Sequence, residues 1–180
     1  MVATLCACVS SCTWVDLFLL RHGIAKERIN GLDHCDRPLT TRGRQRTKAV
    51  MAHLAAHGLR AERLIASPYR RALETAMLAH AAGVAPPPEI SPHLAPGGSP
   101  LDVLQGVSES CLLVGHEPDL SGLAATLLGI PTQTLRLRKA GLLHLRAPFA
   151  LAWQPGTAQL EALLRPGLMV PQGLMLRGAD

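Results

Sequence analysis

The chain has 180 residues, of which 48% are hydrophobic and only 3% aromatic. This length and composition favour one globular domain with a core of aliphatic side chains. Lysine and arginine total 18 against 13 aspartate and glutamate, which gives a net charge of +5. A basic protein can favour nucleic acid, a phosphorylated ligand or an acidic protein surface. Because the basic residues are scattered and no aromatic residues are interleaved with them, the sequence argues against nucleic-acid binding.

Residues 1–14 are apolar and small, and they contain neither lysine nor arginine. The missing basic region argues against a signal peptide, and no segment approaches the ~18 apolar residues that span a bilayer. We therefore expect residues 1–14 to be a disordered extension, or to precede the true start of translation, and residues 15–180 to form a single domain. The five cysteines are irregularly spaced, which favours a reducing, cytoplasmic environment over a disulfide framework.

Short apolar strands and helices alternate as far as Leu128. The segment Asp16–Leu20 is an apolar run that stops at Arg21, which is typical of a strand buried on both faces of a sheet. Thr40 or Thr41 can cap the helix that follows. In chain order, the predicted elements are a strand over 16–20, a loop over 24–39, a helix over 40–57, a strand over 64–66, a helix ending at Ala82, a strand over 111–114 and a helix from Pro118 to Leu128.

The remaining segments carry weaker patterns. Six prolines between Ala85 and Pro100 predict a loop, with a brief strand at 89–90. A short helix is expected over 101–106. Near the C-terminus, 142–145 and 151–153 are predicted to form a strand pair, 160–164 is predicted to form a last strand, and no clear pattern follows from Pro166 onward.

This alternation predicts an α/β fold: a three-layer α/β/α sandwich with a mostly parallel central sheet and antiparallel strands near the C-terminus. In such folds, functional sites form at the carboxyl ends of the strands. The segments Arg21-His22, Ser67–Arg71 and Gly115-His116 each stand at that end of a predicted strand. The sequence therefore predicts that two histidines and two or three arginines meet at one rim of the sheet.

These residue types suit the transfer of a phosphoryl group. Such a group spreads negative charge over three oxygens, and catalysis rests mainly on positioning and charge stabilisation. A guanidinium stays charged and can hold two oxygens at once, while an imidazole near neutral pH is largely unprotonated and nucleophilic. A neutral His22 could attack phosphorus, form a phosphohistidine and yield it to water. His116 could hydrogen-bond the phosphoryl oxygens.

Four segments, in this order, resemble the conserved blocks of the histidine phosphatase superfamily, which includes the phosphoglycerate mutases. The segments are Arg21-His22-Gly23 behind an apolar strand, Arg37-Pro38-Leu39-Thr40-x-x-Gly43, Ser67-Pro68-Tyr69-Arg70-Arg71-Ala72-x-x-Thr75-Ala76 and Val114-Gly115-His116-Glu117-Pro118. The resemblance extends over roughly residues 16–165. It implies that His22 is the phosphorylated nucleophile, and that the phosphate pocket is completed by Arg21, Arg71 and His116. Arg71 rather than Arg70 is implied, because the family's arginine directly precedes the alanine.

The branch of the superfamily follows from three further features. The short chain, the Arg-His-Gly-x-Ala form at Arg21–Ala25 and the segment Leu94–Gly98 resemble the small SixA-type phosphohistidine phosphatases. This resemblance implies a phosphohistidine phosphatase whose substrate is a phosphorylated histidine-containing protein, such as the phosphotransfer domain of a signalling kinase. We expect a monomer that needs neither a metal nor a cofactor and that engages no membrane.

A general acid has no clear place in this pattern. Alkyl phosphate esters need one for the departing alkoxide, whereas a phosphoramidate releases an imidazole that needs less help. Glu117 is a candidate proton donor, because the acid phosphatase branch of the family has a catalytic aspartate at the corresponding place. The other interpretation is that Glu117 serves the start of the next helix, where the helix dipole favours an acid. The alternatives to a protein phosphohistidine phosphatase are a phosphatase for small phosphate esters, a non-catalytic phosphohistidine-binding module and a basic adaptor protein.

Overall fold

A mixed six-stranded sheet forms the centre of the computed structural model, which describes residues 14–28 and 30–170. Its strands are β1 (Trp14–Arg21), β2 (Arg63–Ala66), β3 (Glu89–Ile90), β4 (Cys111–Gly115), β5 (Leu142–Pro148) and β6 (Gln159–Leu164). They lie in the order β3-β2-β4-β1-β5-β6. β1 to β4 run parallel, β5 is antiparallel to β1, and β6 is antiparallel to β5. The predicted mostly parallel sheet with antiparallel strands near the C-terminus is confirmed.

Helices cover both faces of this sheet. They are α1 (Thr41–Ala56), α2 (Arg70–Ala81), α3 (Pro100–Val103), α4 (Asp119–Leu128) and α5 (Pro166–Met169). On one face, Val50 of α1, Ala76 of α2 and Met169 of α5 lie in one hydrophobic cluster. On the other face, Leu120 and Leu127 of α4 lie in a second cluster. The three-layer α/β/α arrangement is thereby confirmed.

The alternation of side chains along β1 connects the two halves of the core. Leu17 and Leu19 lie in the α4 cluster, whereas Phe18 and Leu20 lie in the cluster of α1 and α2. All four are at most 6% exposed, as expected for a central strand with helices on both faces. Burying each such side chain contributes roughly 1.5–3 kcal/mol. The strand that leads into the candidate site is therefore firmly held.

The chain after β1 is fixed against the start of α1. Thr40 caps this helix by accepting a hydrogen bond from the Gly43 amide at 2.9 Å, as predicted for one of the two threonines. The Thr40 amide in turn donates to the Ile24 carbonyl at 2.9 Å. Two glycines allow this close approach. A Cβ at Gly43 would lie 2.0 Å from the Ile24 oxygen, and a Cβ at Gly23 would lie 2.4 Å from the Thr47 hydroxyl.

The strand pair predicted over 142–145 and 151–153 is wrong. β5 pairs with β6, while the segment after β5 (Phe149–Leu151) forms a 3-10 turn. Trp153 has a φ of 65°, a conformation that cannot continue a strand. Its buried indole N–H donates to the Val107 carbonyl at 3.0 Å. The indole thus anchors this segment to the loop before β4, so the segment does not pair with β5.

Some element boundaries also differ from those predicted. β1 begins at Trp14, a residue that the sequence places in the N-terminal extension. The rest of that predicted extension, residues 1–13, lies outside the described residues. The short helix predicted over 101–106 corresponds to α3, which ends at Val103. α5 forms one turn that begins at Pro166, where the sequence predicts no element. Within the described part of the chain, no helix is long and apolar enough to cross a membrane.

Candidate active site

The carboxyl ends of β1, β2 and β4 meet at one rim of the sheet. Their register pairs Arg21 with Gly115 and Ala66 with Val114, so the residues that follow these strands are neighbours. A cavity of about 380 Å³ opens at this rim. It is lined by Arg21, His22, Ala25, Arg28, Asp33, Arg37, Arg71, Pro96, His116, Glu117 and Lys139. The structure thus brings together the four residues predicted to attack and bind phosphate, with Glu117 beside them.

His22 presents an unprotonated nitrogen to the cavity. Its Nδ1 lies 2.7 Å from the Gly23 carbonyl oxygen, and because a carbonyl only accepts, Nδ1 carries the proton. Nε2 therefore holds a lone pair, which accepts a hydrogen bond from Nε of Arg71 at 3.3 Å. The Gly23 amide donates to the Thr75 hydroxyl at 3.0 Å, which ties this turn to α2. In this tautomer, Nε2 can attack an electrophile without first losing a proton.

The guanidinium of Arg71 connects the polar groups of the cavity. Besides contacting His22, its Nη2 lies 3.0 Å from the Asp33 carboxylate and 3.3 Å from Nδ1 of His116. Arg71 is only 1% exposed. Arg70, by contrast, is exposed and forms an ion pair with a glutamate one turn further along α2. Because successive helical residues are about 100° apart around the axis, only one of the two adjacent arginines faces the cavity.

His116 is held at both ring nitrogens. Nη2 of Arg71 can only donate, so Nδ1 of His116 is the acceptor. Nε2 then carries the proton and donates to the Ser67 hydroxyl at 2.8 Å. That hydroxyl also accepts from the Tyr69 amide at 3.2 Å. Since a serine hydroxyl can donate as well as accept, Ser67 can stabilise either neutral tautomer of His116, including the one that offers Nδ1–H to an anion.

Arg21 forms the wall of the cavity at the end of β1. Its Nη1 donates to the Leu137 carbonyl at 2.9 Å. Its Nε is buried and has no hydrogen-bond partner within residues 14–28 and 30–170. Burial also lowers the pKa of Arg21. Because a buried guanidinium N–H without an acceptor is costly, this side chain suits a bound anion.

Both cavity histidines are held neutral. Burial is the main cause of a fall in the pKa of His22 from 6.5 to about 3; the Gly23 carbonyl opposes the fall, and neighbouring positive groups add to it. The pKa of His116 also falls to about 3, through burial and then through the charge of Arg71. Burial and neighbouring positive charge both disfavour the charged form of an imidazole. At neutral pH both rings are therefore uncharged, and Nε2 of His22 carries a lone pair rather than a proton.

No motif marks Asp33, yet its carboxylate lies in the cavity. Oδ1 accepts from Nε and Nη2 of Arg37 at 2.9 and 2.6 Å, and Oδ2 accepts from Arg71 at 3.0 Å. Although burial raises the pKa of this carboxyl, the hydrogen bond from Arg37 and the charges of the surrounding arginines lower it overall. Asp33 is therefore ionised at neutral pH and joins Arg37 and Arg71 into one cluster. Arg37 stands in a motif quoted above, whereas Asp33 lies in a loop without a periodic pattern.

Glu117 has features of both interpretations of its role. Its Oε2 accepts from the Ser121 hydroxyl at 2.7 Å, in the first turn of α4. Its Oε1 is buried and lacks a hydrogen-bond partner in the part of the chain that the structure describes. The side chain also lines the cavity. One oxygen therefore serves the helix, while the other can meet a ligand.

Positive charge dominates the cavity. Its lining contains five basic side chains and two carboxylates, a balance that favours an anion. Burial, followed by the charges of neighbouring arginines, lowers the pKa of Lys139 in this lining. Among the described residues, no group of three or more His, Cys, Asp or Glu side chains could hold a metal ion. The arrangement can bind a phosphoryl group, attack it with His22 and stabilise its charge.

The amino-acid sequence of this chain matches one known protein family. A family model described as the histidine phosphatase superfamily (branch 1) matches residues 17–95. A protein of Picosynechococcus sp. whose own function is uncharacterised is 37% identical over 165 residues, which cover 87% of this chain and 100% of that protein.

Solved structures with a similar fold come from several phosphatases. The protein histidine phosphatase SixA, in complex with tungstate, has a TM-score of 0.75 and 22% identity, over 87% of this chain and 100% of SixA. The alpha-ribazole phosphatase of Shigella flexneri has a TM-score of 0.62 and 20% identity, over 84% of this chain and 97% of that chain. At these identities, the likeness concerns the fold.

Proposed function

Because the chain belongs to the histidine phosphatase superfamily, we propose that it is a phosphatase and that it hydrolyses phosphohistidine on a protein. The phosphoryl group passes first to His22 and then to water. The observation that carries this proposal is the Nε2 lone pair of His22, which lies 3.3 Å from Nε of Arg71 in a cavity rich in cations. A buried, neutral imidazole beside fixed positive charge suits nucleophilic attack on a phosphoryl group.

The first step is the attack of His22 on phosphorus. A bond forms from Nε2 to phosphorus while the bond from phosphorus to the substrate histidine breaks, and its electron pair returns to the departing ring nitrogen. When the other nitrogen of that ring carries a proton, the ring leaves as neutral imidazole and needs no further proton. The Nδ1 proton of His22 stays in its hydrogen bond to the Gly23 carbonyl.

The second step returns His22 to its starting state. Water attacks phosphorus, and the bond to Nε2 breaks with its electron pair returning to Nε2. One water proton stays on the new phosphate oxygen, and the other is held by the phosphate or passes to solvent. Because Nδ1 keeps its proton, His22 leaves as a neutral imidazole rather than as an imidazolate. The hydrogen bond that exposes the Nε2 lone pair thus serves both attack and departure.

Arg21, Arg71 and His116 stabilise the oxygens of the transferring group. Each offers N–H groups at the same rim, and removing one such donor typically costs roughly 10²–10³-fold in rate. His116 donates from Nδ1 in its other neutral tautomer, in which Nε2 accepts a hydrogen bond from the Ser67 hydroxyl over the same 2.8 Å contact. The ring therefore changes from acceptor to donor without a change in charge.

The leaving group favours phosphohistidine over an alkyl phosphate. An alkoxide requires a general acid, whereas the departing imidazole requires less help. Asp33 is a poor acid, because its pKa is lowered by Arg37 and by the other arginines around it. The likeness in fold to SixA, itself a protein histidine phosphatase, supports the same choice.

A second candidate function is a phosphatase for small phosphate esters. The observation in its favour is Oε1 of Glu117, a buried oxygen in the lining of the cavity that has no hydrogen-bond partner among the described residues. A proton held at this oxygen could be given to a departing alkoxide. The two candidates share the covalent step at His22 and differ in the need for this proton.

Kinetics with matched substrates test the proposal. The kcat/KM values are measured for a histidine-phosphorylated phosphotransfer domain, for phosphoramidate and for a panel of phosphate monoesters. We expect the phosphohistidine protein to exceed the alkyl esters by at least about tenfold, since only the esters depend on a strong general acid. A clear preference for an ester would assign the second candidate instead.

Two variants complete this test. His22→Ala should abolish turnover, whereas His57→Ala, at an exposed histidine that ends α1, should retain it. Binding of the phosphorylated domain without turnover of any substrate would instead identify a non-catalytic phosphohistidine-binding module.

A further inference from the structure

A second cavity, here called the basic groove, adjoins the catalytic cavity. It has a volume of about 640 Å³ and is lined by Arg21, Ile24, Arg46, Arg136, Arg138, Lys139, Arg165, Pro166 and Gly167. Arg21 and Lys139 line both cavities, so a ligand can extend from one into the other. The catalytic steps give no role to Arg46, Arg136, Arg138 or Arg165.

The loop before β5 holds part of the groove in a fixed position. Leu137 and Ala140 of this loop are fully buried, whereas Arg136 and Arg138 are exposed. The Ala140 amide lies 3.1 and 3.2 Å from the last carbonyl of β1 and from the carbonyl that follows it, and it donates to both. The buried side chains and these hydrogen bonds anchor the backbone, and the arginines project from it into solvent.

Two further elements contribute to the groove. Arg165 directly follows β6, and the pairing of Leu142 with both Leu164 and Leu20 brings the end of β6 to the same rim as the end of β1. Arg46 comes from α1, and its Nε is buried without a hydrogen-bond partner among the described residues. Burial, followed by the charge of a neighbouring arginine, lowers the pKa of Arg46.

The basic residues of the groove are largely without carboxylate partners in the described part of the chain: burial lowers the pKa of Arg21, and only the charge of nearby Glu117 opposes this effect. None of its six basic residues forms an ion pair there, and no carboxylate occurs in the lining. Elsewhere on the surface, Arg63 and Arg70 do pair with carboxylates. Like charges gathered in one place repel each other, so an anionic ligand would stabilise this arrangement.

We propose that the basic groove binds acidic side chains of the phosphorylated protein whose phosphohistidine enters the catalytic cavity; the inference rests on the proposed function. No aromatic side chain occurs in the described lining, which argues against stacked nucleic-acid bases. One small phosphate would need donors converging on one point, whereas these cations are mostly exposed and come from separate segments. Carboxylates spread over a protein surface match that distribution, and their attraction speeds and orients the encounter.

Two histidine-phosphorylated peptides of equal length test this proposal. In one, glutamates flank the phosphohistidine, and in the other, glutamines replace them. The wild-type chain is compared with the double variant Arg136→Gln/Arg138→Gln. The control variant Lys48→Gln/Arg60→Gln removes the same charge at exposed positions outside both cavities.

The expected outcome is a loss confined to the acidic peptide. The groove variant should lower kcat/KM for this peptide about three- to tenfold, and for the neutral peptide by less than about twofold, as two exposed charge pairs would. The control variant should retain both values. Salt at about 0.5 M should remove the wild-type preference for the acidic peptide, because it screens exposed charges.

A binding measurement separates this proposal from the proposed function. Fluorescence anisotropy is used to follow the unphosphorylated forms of both peptides. One outcome is that neither phosphopeptide is hydrolysed, while the acidic peptide binds more tightly to wild type and loses this advantage in the groove variant. That result would contradict the proposed function and support the role of the groove in binding acidic side chains. If wild type and the groove variant hydrolyse each phosphopeptide with the same kcat/KM, the groove proposal is wrong and the proposed function is supported. Equal binding of the two peptides to wild type overturns the groove proposal in either case.

Discussion

Acidification from about pH 7.5 to about pH 5 should destabilise the folded protein through its two cavity histidines. The fold lowers the pKa of His22 and of His116 to about 3, against about 6.5 in the unfolded chain. Between these values, the unfolded chain binds more protons than the folded protein, so stability falls as the pH falls. At about pH 5, each histidine removes about 2 kcal/mol of the stability present at about pH 7.5, and the pair removes about 4 kcal/mol.

Urea-induced unfolding at the two pH values measures this effect. The variants His22→Asn and His116→Asn each lack one titrating ring, so each should lose about 2 kcal/mol less than wild type on acidification. Differences between a variant and wild type cancel the contributions of titrating groups that are distant from the substituted histidine. His57→Asn, at an exposed position directly after α1, is the control and should lose as much as wild type. If the two cavity variants lose as much stability as wild type, burial does not hold these rings neutral.

Three further variants probe the site and its packing. Arg71→Lys should lower kcat/KM by roughly 10²–10³-fold, because an ammonium cannot hold two oxygens in the fork geometry. Arg70→Lys is the control and should change kcat/KM less than about twofold. Equal losses in the two variants would contradict the assignment of Arg71 to the phosphate pocket. If the Glu117 carboxyl donates a proton, Glu117→Gln should lower the rate of ester hydrolysis by roughly 10²-fold or more and leave the rate of phosphoramidate hydrolysis nearly unchanged. Equal effects on both substrates would show that Glu117 is not the general acid. Gly23→Ala should reduce the free energy of unfolding by about 1–3 kcal/mol, because its Cβ would collide with a threonine hydroxyl of α1. Gly122→Ala, where a Cβ meets no atom within 4 Å, is its control and should stabilise α4 by up to about 1 kcal/mol.

The parts of the site that adjoin regular elements could be predicted from the sequence. The apolar run that ends at Arg21-His22 indicates a buried strand from its local sequence alone. The apolar run that precedes His116 does the same. Parallel pairing then places these ends together, since the carboxyl ends of parallel strands share one edge. Thr40 likewise caps α1 through a hydrogen bond within four residues, which is a local interaction.

The parts that depend on tertiary contacts could not be predicted. Asp33 reaches the cavity only because its loop folds back onto α2, where it meets Arg71, and no periodic pattern reports such a fold. The basic groove joins Arg46, Arg138 and Arg165 from distant segments, so in the sequence its residues are scattered charges. The segment around Trp153 resembles a strand in composition, but its indole hydrogen bond to the loop before β4 decides its conformation.

The covalent intermediate at His22 offers the most direct test of the account. The wild-type chain and His22→Ala are mixed with phosphoramidate, quenched in alkali within milliseconds to seconds, and examined by peptide mass spectrometry. We expect an acid-labile phosphate on the peptide that contains His22 in wild type, and no phosphorylated histidine in the variant. Turnover without any phosphate on His22, or undiminished turnover by His22→Ala, would contradict the claim that this imidazole is the nucleophile.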